Sequence, residues 1–215
     1  MIIMNENRVK RNSMLAQKLI KELKTRNIEA FYAEGKDEAR SLALSMIPEG
    51  SSVGWGGSMT IDEIGLKDAV IQGNYIEINR DAAASPEIKE KLMRDIFSCD
   101  YFLTSCNAIS EDGIIVNIDG IGNRIAAIAF GPAHVIIIAG INKVVHSAKD
   151  ALSRARNEAA PINAQRFDIE TPCKKTGACF DCKSPDTICC QFLVTRYSRH
   201  PGRIKLILVD EDLGF

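Results

Sequence analysis

Over the first fifty residues, apolar side chains recur at helical intervals. Between about residues 7 and 26, Val9, Ala16, Leu19 and Leu23 share one face, with lysines and arginines between them. That pattern predicts an amphipathic helix packed on a core or on a partner subunit, which makes a homodimer plausible. Residues 35–47 repeat the pattern with Ala39, Leu42, Ala43 and Met46, and Pro48-Glu49-Gly50 ends it. Residues 51–55 predict a short buried strand. It runs through Gly56-Gly57-Ser58-Met59-Thr60 into a third helix, for which Thr60 and Glu63 have capping-box spacing. Residues 75–78 predict another strand. Ser85-Pro86 marks a helix start, with Ile88, Leu92 and Ile96 along that helix.

Beyond residue 98 the chain reads as strand-rich. Residues 100–105 predict one strand, and 109–118 predict two strand-like pieces around the Glu111-Asp112-Gly113 turn. The most apolar segments, 124–130 and 135–139, belong to this strand-rich stretch and are divided by Gly131-Pro132. An alanine-rich helix is expected over 147–160, stopped at Pro161, and residues 203–209 read as a strand able to rejoin the sheet. Alternating helices and strands, with strands apolar on both faces, predict an α/β fold: a sheet covered by helices. A chain of 215 residues suggests one domain. The aperiodic segment 161–190 is expected to form a cysteine-rich insert or lobe beside it.

Charge narrows the function classes. Lys and Arg total 27 and Asp and Glu 28, so no basic excess points to nucleic acid or to an anionic membrane. The N-terminus turns polar at once, and the longest apolar run is far short of the roughly 20 residues needed to span a bilayer. The expected compartment is therefore the cytoplasm, where structural disulfides are rare. The seven cysteines need another explanation.

Cys173, Cys179, Cys182 and Cys189 stand as C-x5-C-x2-C-x6-C, followed directly by Cys190. A C-x2-C turn lets two thiolates grip one centre, and Pro172, Gly177 and Pro185 supply bends. Four such ligands suit zinc or an iron–sulfur cluster, and spacing leaves the two undecided. Free buried thiols, a redox disulfide at Cys179 and Cys182, or a purely structural staple are the alternatives. Cys99 reads as core, and Cys106 lies at a strand end, where α/β sheets bind ligands.

The turn through Gly56, Gly57, Ser58 and Thr60 follows a strand and opens a helix. Its free N–H groups and hydroxyls suit an anion, although it matches neither the P-loop nor the dinucleotide fingerprint. Asn107, Asn117, Asp119, Asn123 and Arg124 cluster among glycines, as in loops lining a polar small-molecule site. Asp119 is a candidate acid or base, and Arg124 a candidate clamp for a carboxylate or phosphate. Turn formers on exposed hairpins are the alternative, which accounts well for Glu111-Asp112-Gly113 but less well for Asn117, Asp119, Asn123 and Arg124, which abut the most apolar strand. Lys143 is expected to be a solvated strand-end lysine, and the three histidines show no paired-ligand spacing.

These stretches together resemble the LUD (lactate-utilisation) domain family. The resembling residues are Gly56-Gly57-Ser58-Met59-Thr60, Asn107 with Glu111-Asp112-Gly113, Asn117-Ile118-Asp119-Gly120 with Asn123-Arg124, and Gly140-Ile141-Asn142-Lys143. The resemblance implies a Rossmann-like sheet akin to sugar-phosphate isomerases and coenzyme A transferases. In related isomerases, the segment resembling residues 107–124 lines the substrate site. The cysteine-rich tail resembles one branch of the family. The resemblance also implies a part in oxidising lactate to pyruvate beside iron–sulfur partner proteins, as an accessory or substrate-binding subunit. The paired C-x2-C-x2-C-x3-C runs of larger members are missing from this sequence. The alternatives are a stand-alone isomerase or acyl transferase acting on a small phosphorylated or carboxylated substrate, and a metal-stapled binding module without chemistry.

Overall fold

The computed structural model describes residues 6–215. The polar start at residues 1–5, read above as pointing to the cytoplasm, lies outside the described residues. Along the chain, α1 (Glu6–Thr25), β1 (Glu29–Ala33), α2 (Lys36–Ser45) and β2 (Ser52–Trp55) lead to two short helices, α3 (Met59–Glu63) and α4 (Leu66–Gln72). Next come β3 (Ile76–Ile78), α5 (Pro86–Asp95) and β4 (Tyr101–Ser105). A hairpin of β5 (Ala108–Ser110) and β6 (Ile115–Asp119) precedes α6 (Asn123–Ala129) and β7 (His134–Gly140). The remainder is β8 (Val144–Val145), α7 (Ala148–Arg154), α8 (Ala160–Ala164), α9 (Pro172–Thr176), β9 (Gln191–Thr195) and β10 (Ile204–Val209).

Six strands form an all-parallel sheet in the order β1-β10-β7-β4-β2-β3. Alternate residues of its central strands bury on opposite faces. Val135, Ile137 and Ala139 of β7 join Leu206 and Leu208 of β10 under α1. Ile136, Ile138, Ile207 and Val209 pack on the other face against residues of α2, α3 and α4. Period-2 alternation with both sets apolar is what a helix-covered parallel sheet requires. Leu15, Ala16, Leu19 and Leu23 give α1 its buried face, so this helix packs on the chain's own core. Asn12 ties it down further, donating at 2.6 Å to buried Asp210, which also accepts from Tyr32 at 2.9 Å.

A second, four-stranded sheet, β8-β5-β6-β9, flanks the first. Ala108, Val116 and Ile118 meet Ala151 and Ala155, whose small side chains let helix and sheet approach closely. No helix among the described residues is long and apolar enough to cross a membrane.

The α/β fold, the 203–209 strand and the Ser85 cap are observed as expected. Four local readings differ. Residues 123–129 of the apolar run are helical rather than part of a strand. Short apolar runs fit either period, and here Asp119 accepts the N–H groups of Arg124 and Ile125 while Arg203 donates to the carbonyls of Ala127 and Ile128. Ser58, not Thr60, caps α3, accepting from the Ile61 N–H. Pro161 does not stop its helix: a π-helical turn at Ala155–Ala159 intervenes, and Pro161 sits in the first turn of α8. Ile96, read as part of the helix that starts at Pro86, falls in a separate turn just beyond α5.

Candidate functional site

Loops leaving the carboxyl ends of β2, β4, β7 and β10 converge on one side of the main sheet. They carry Gly57 to Thr60, Cys106 and Asn107, Lys143, and Gly214 respectively. With the Asp119–Arg124 turn of the second sheet they enclose a cavity of about 560 Å³, large enough for a metabolite. Strand carboxyl ends are the usual ligand side of an open α/β sheet.

Lys143 reverses its expected placement. It is only 2% exposed. Its Nζ donates to Thr60 Oγ1 at 2.8 Å and to Ser105 Oγ at 2.9 Å, so one hydroxyl from α3 and one from the end of β4 hold the amine at the cavity wall. Burial brings its pKa down to about 8. The neighbouring Cys106 pulls it upward, and Arg154 and Arg124 push it further down. Arg154 organises the backbone on both sides of the amine, donating to the carbonyls of Asn142 at 3.1 Å and Asn107 at 2.6 Å. Burial raises the Cys106 thiol, against the pull of Lys143, Arg154 and Arg124.

Arg124 reaches across the cavity from α6. It donates to the Ile118 carbonyl and, at 3.2 Å, to Asn107 Oδ1, which also accepts from the Ile118 N–H. Burial lowers its pKa, with Asp119 acting the other way. Gly56 makes room for it: a Cβ there would stand 3.1 Å from Arg124 Cγ and Cδ and 3.3 Å from Phe102. Arg80 adds a third cation beside Gly57, and its buried Nε makes no hydrogen bond.

The acidic side chains around the cavity are already engaged. Asp119 accepts from the N–H groups of Gly120, Arg124 and Ile125. Asp81 accepts from Trp55 and Lys67, and Asp62 pairs with Lys67 at 2.7 Å. Arg124 and Lys143 face the cavity beside Arg80, whose Nε lies 3.7 Å from Asp81 Oδ1, and the chemistry favours a small anion.

A family model described as LUD domain matches residues 16–209. The chain belongs to the LUD domain family. No curated protein matches it. Among solved structures, a DUF162 family protein from Deinococcus radiodurans is similar over 92% of this LUD chain and 98% of its own, at 12% identity and a TM-score of 0.54. Ribose 5-phosphate isomerase A from Methanocaldococcus jannaschii matches 53% of this chain and 55% of its own, at 17% identity and a TM-score of 0.35.

Most of the residues that sequence singled out in the LUD chain meet here. Gly57, Ser58, Thr60, Asn107, Asp119, Asn123 and Arg124 line the cavity. Gly56 lies behind Arg124, and Asn117 does not line it: its buried side chain donates to the Ser105 carbonyl at 2.9 Å, steadying the end of β4. Sequence reading missed Lys143, Ser105, Arg80 and Arg154 as site residues. The available signal for Lys143 was its place directly after the most apolar strand.

The cysteine segment of the LUD chain forms a lobe against β6. The Cys190 N–H donates to the Asp119 carbonyl at 2.9 Å. Cys173, Cys179, Cys182 and Cys189 line a second, small cavity of about 60 Å³, whereas Cys190 is exposed and outside it. Burial pushes the Cys189 thiol up to about 11, with added repulsion from Cys173, Cys179 and Cys182. Among the described residues, no three His, Cys, Asp or Glu side chains close to the spacing that would hold one metal ion.

Proposed function

We propose that this LUD-family chain binds a small carboxylate- or phosphate-bearing metabolite in the strand-end cavity and moves a proton on it through Lys143. The observation that carries this reading is the buried Nζ of Lys143, held between the Thr60 and Ser105 hydroxyls beside Arg124. In this role Arg124 and Arg80 hold the anion, and Lys143 stands within the same cavity. An amine with a pKa near 8 is mostly charged at neutral pH but exchanges its proton readily, which suits general acid–base work. Asp119 then acts as a positioning residue, because its oxygens are committed to the backbone of α6. With the family's association with lactate utilisation, a 2-hydroxy or 2-oxo acid is the first ligand class to test.

A second reading, favoured by family membership and the cysteine lobe, makes the chain the substrate-binding subunit of a lactate-oxidising assembly with iron–sulfur partners. Reduced thiols in that lobe suit a cytosolic setting. Calorimetric titration with lactate, pyruvate, inorganic phosphate and ribose 5-phosphate tests the binding common to both. We expect at least one anion to bind, with affinity falling about tenfold or more in Arg124→Gln, on the scale of a lost charge-assisted hydrogen bond. Unchanged affinity in that variant would sink the reading. Proton exchange at the α-carbon or isomerisation by the isolated chain, abolished in Lys143→Met, favours the enzyme. Binding without turnover until an iron–sulfur partner is added favours the subunit.

A further inference from the structure

The cysteine lobe and the anion cavity share a wall. Ile188 lines both, and the lobe rests on the Asp119-Gly120 turn, where a Cβ on Gly120 would meet the Ile188 backbone at 3.6 Å. The four cavity-lining cysteines come from three places: Cys173 from the first turn of α9, Cys179 and Cys182 from the loop that follows, and Cys189 from the approach to β9. Local devices hold those places. Gly177 ends α9 at φ 76°, its N–H donating to the Cys173 carbonyl. Asp181 adopts φ 52° between the paired cysteines and accepts from Arg156 at 2.6 Å. Thr187 Oγ1 accepts from the Cys189 N–H.

The thiols line one small cavity, and among the described residues no three of them close on a single ion. A lone zinc draws four sulfurs to about 2.3 Å and leaves no void among them. A volume of about 60 Å³ is several times the 10–15 Å³ that one water needs. Pro161, Phe180, Ile188 and Phe192 supply apolar lining, and Thr171, Thr187, Arg156 and Asp181 supply polar lining.

We propose that Cys173, Cys179, Cys182 and Cys189 ligate a four-iron, four-sulfide cluster seated against Ile188, at the back of the anion cavity. Such a cluster, when bound, exchanges one electron at a time. The chain's own part is to supply four thiolates and set the centre one side chain, Ile188, from whatever the anion cavity holds. Cys190, exposed and turned to the Thr187 carbonyl, is outside the ligand set.

The test is anaerobic reconstitution of the full chain with ferrous iron and sulfide, followed by iron and sulfide analysis, visible absorption and electron paramagnetic resonance of the reduced protein. About four irons and four sulfides per chain are expected. They should be retained in Cys190→Ser and lost in Cys179→Ser and Cys189→Ser. Circular dichroism on each variant separates loss of the cluster from loss of the fold. Pyruvate or phosphate added to the reduced wild type should shift the resonance, through the shared Ile188 wall. One zinc per chain with no colour, or iron retained in all cysteine variants, would overturn the assignment. Cluster stoichiometry is read without any anion, so it stands or falls independently of the anion-binding reading. An anion that binds by calorimetry yet leaves the resonance untouched overturns only the shared wall.

Discussion

Lys143 is the residue whose surroundings matter most. A lysine in the unfolded chain titrates near ~10.4, whereas burial holds this one at about 8 when folded. Between those pH values the unfolded chain keeps a proton that the folded chain has released. Stability therefore rises with pH across that window, and the full cost of burying the charge applies below about 8. Lys143→Met removes the titration. Between pH 7.5 and 10 the wild type should gain on this variant, by about 2 kcal/mol, since the full slope of about 1.4 kcal/mol per pH unit applies only between the two pKa values. Urea denaturation at the two pH values measures it, and parallel behaviour of the two proteins would contradict the buried-amine geometry. Turnover, if carried by the free amine, should climb through the same pH.

At the scale of elements, α6 is held at its start by nearby Asp119 and at its end by Arg203, distant in sequence. Asp119 accepts its first free N–H groups, and Arg203, at the entrance to β10, donates to the carbonyls of Ala127 and Ile128 in its last turn and to Pro132 just beyond. Helix ends left without partners are costly. Arg203→Ala should lower stability by about 1–3 kcal/mol and loosen α6 first. Hydrogen exchange resolved along the chain should show faster exchange at residues 123–129 than in the central strands, and uniform acceleration would argue against a local clamp. Because α6 carries Arg124, anion affinity should fall in the same variant.

For the whole molecule, α1 and the strands from both halves of the chain form one core. Leu19, from the start of the chain, packs in the same cluster as Leu206 and Leu208 near its end. Leu19→Ala should cost about 2–5 kcal/mol, and the loss should appear as one cooperative shift in the denaturation midpoint. A separate early transition confined to α1 would show that this helix is an appendage instead. The two-faced sheet also explains the cavity: with helices on both faces, loops at the strand carboxyl ends are where polar side chains can gather.

The sequence by itself determined the α/β class, because period-2 apolar strands alternating with period-3.6 helices reflect local side-chain geometry. It also determined the Ser85 cap, the hairpin at Glu111-Asp112-Gly113, the grouping of Asn107, Asn123 and Arg124 as candidate site residues, and the four spaced cysteines. Helix or strand at residues 123–129 was not legible, since a short apolar run suits both and the choice fell to Asp119 and Arg203. Nor was the second sheet, whose strand β9 pairs with β6 across a long separation. The burial of Lys143 was decided only by tertiary structure. Its neighbours Thr60, Ser105 and Arg154 come from separate elements, and a side chain's environment is set by what folds against it, not by its position along the chain.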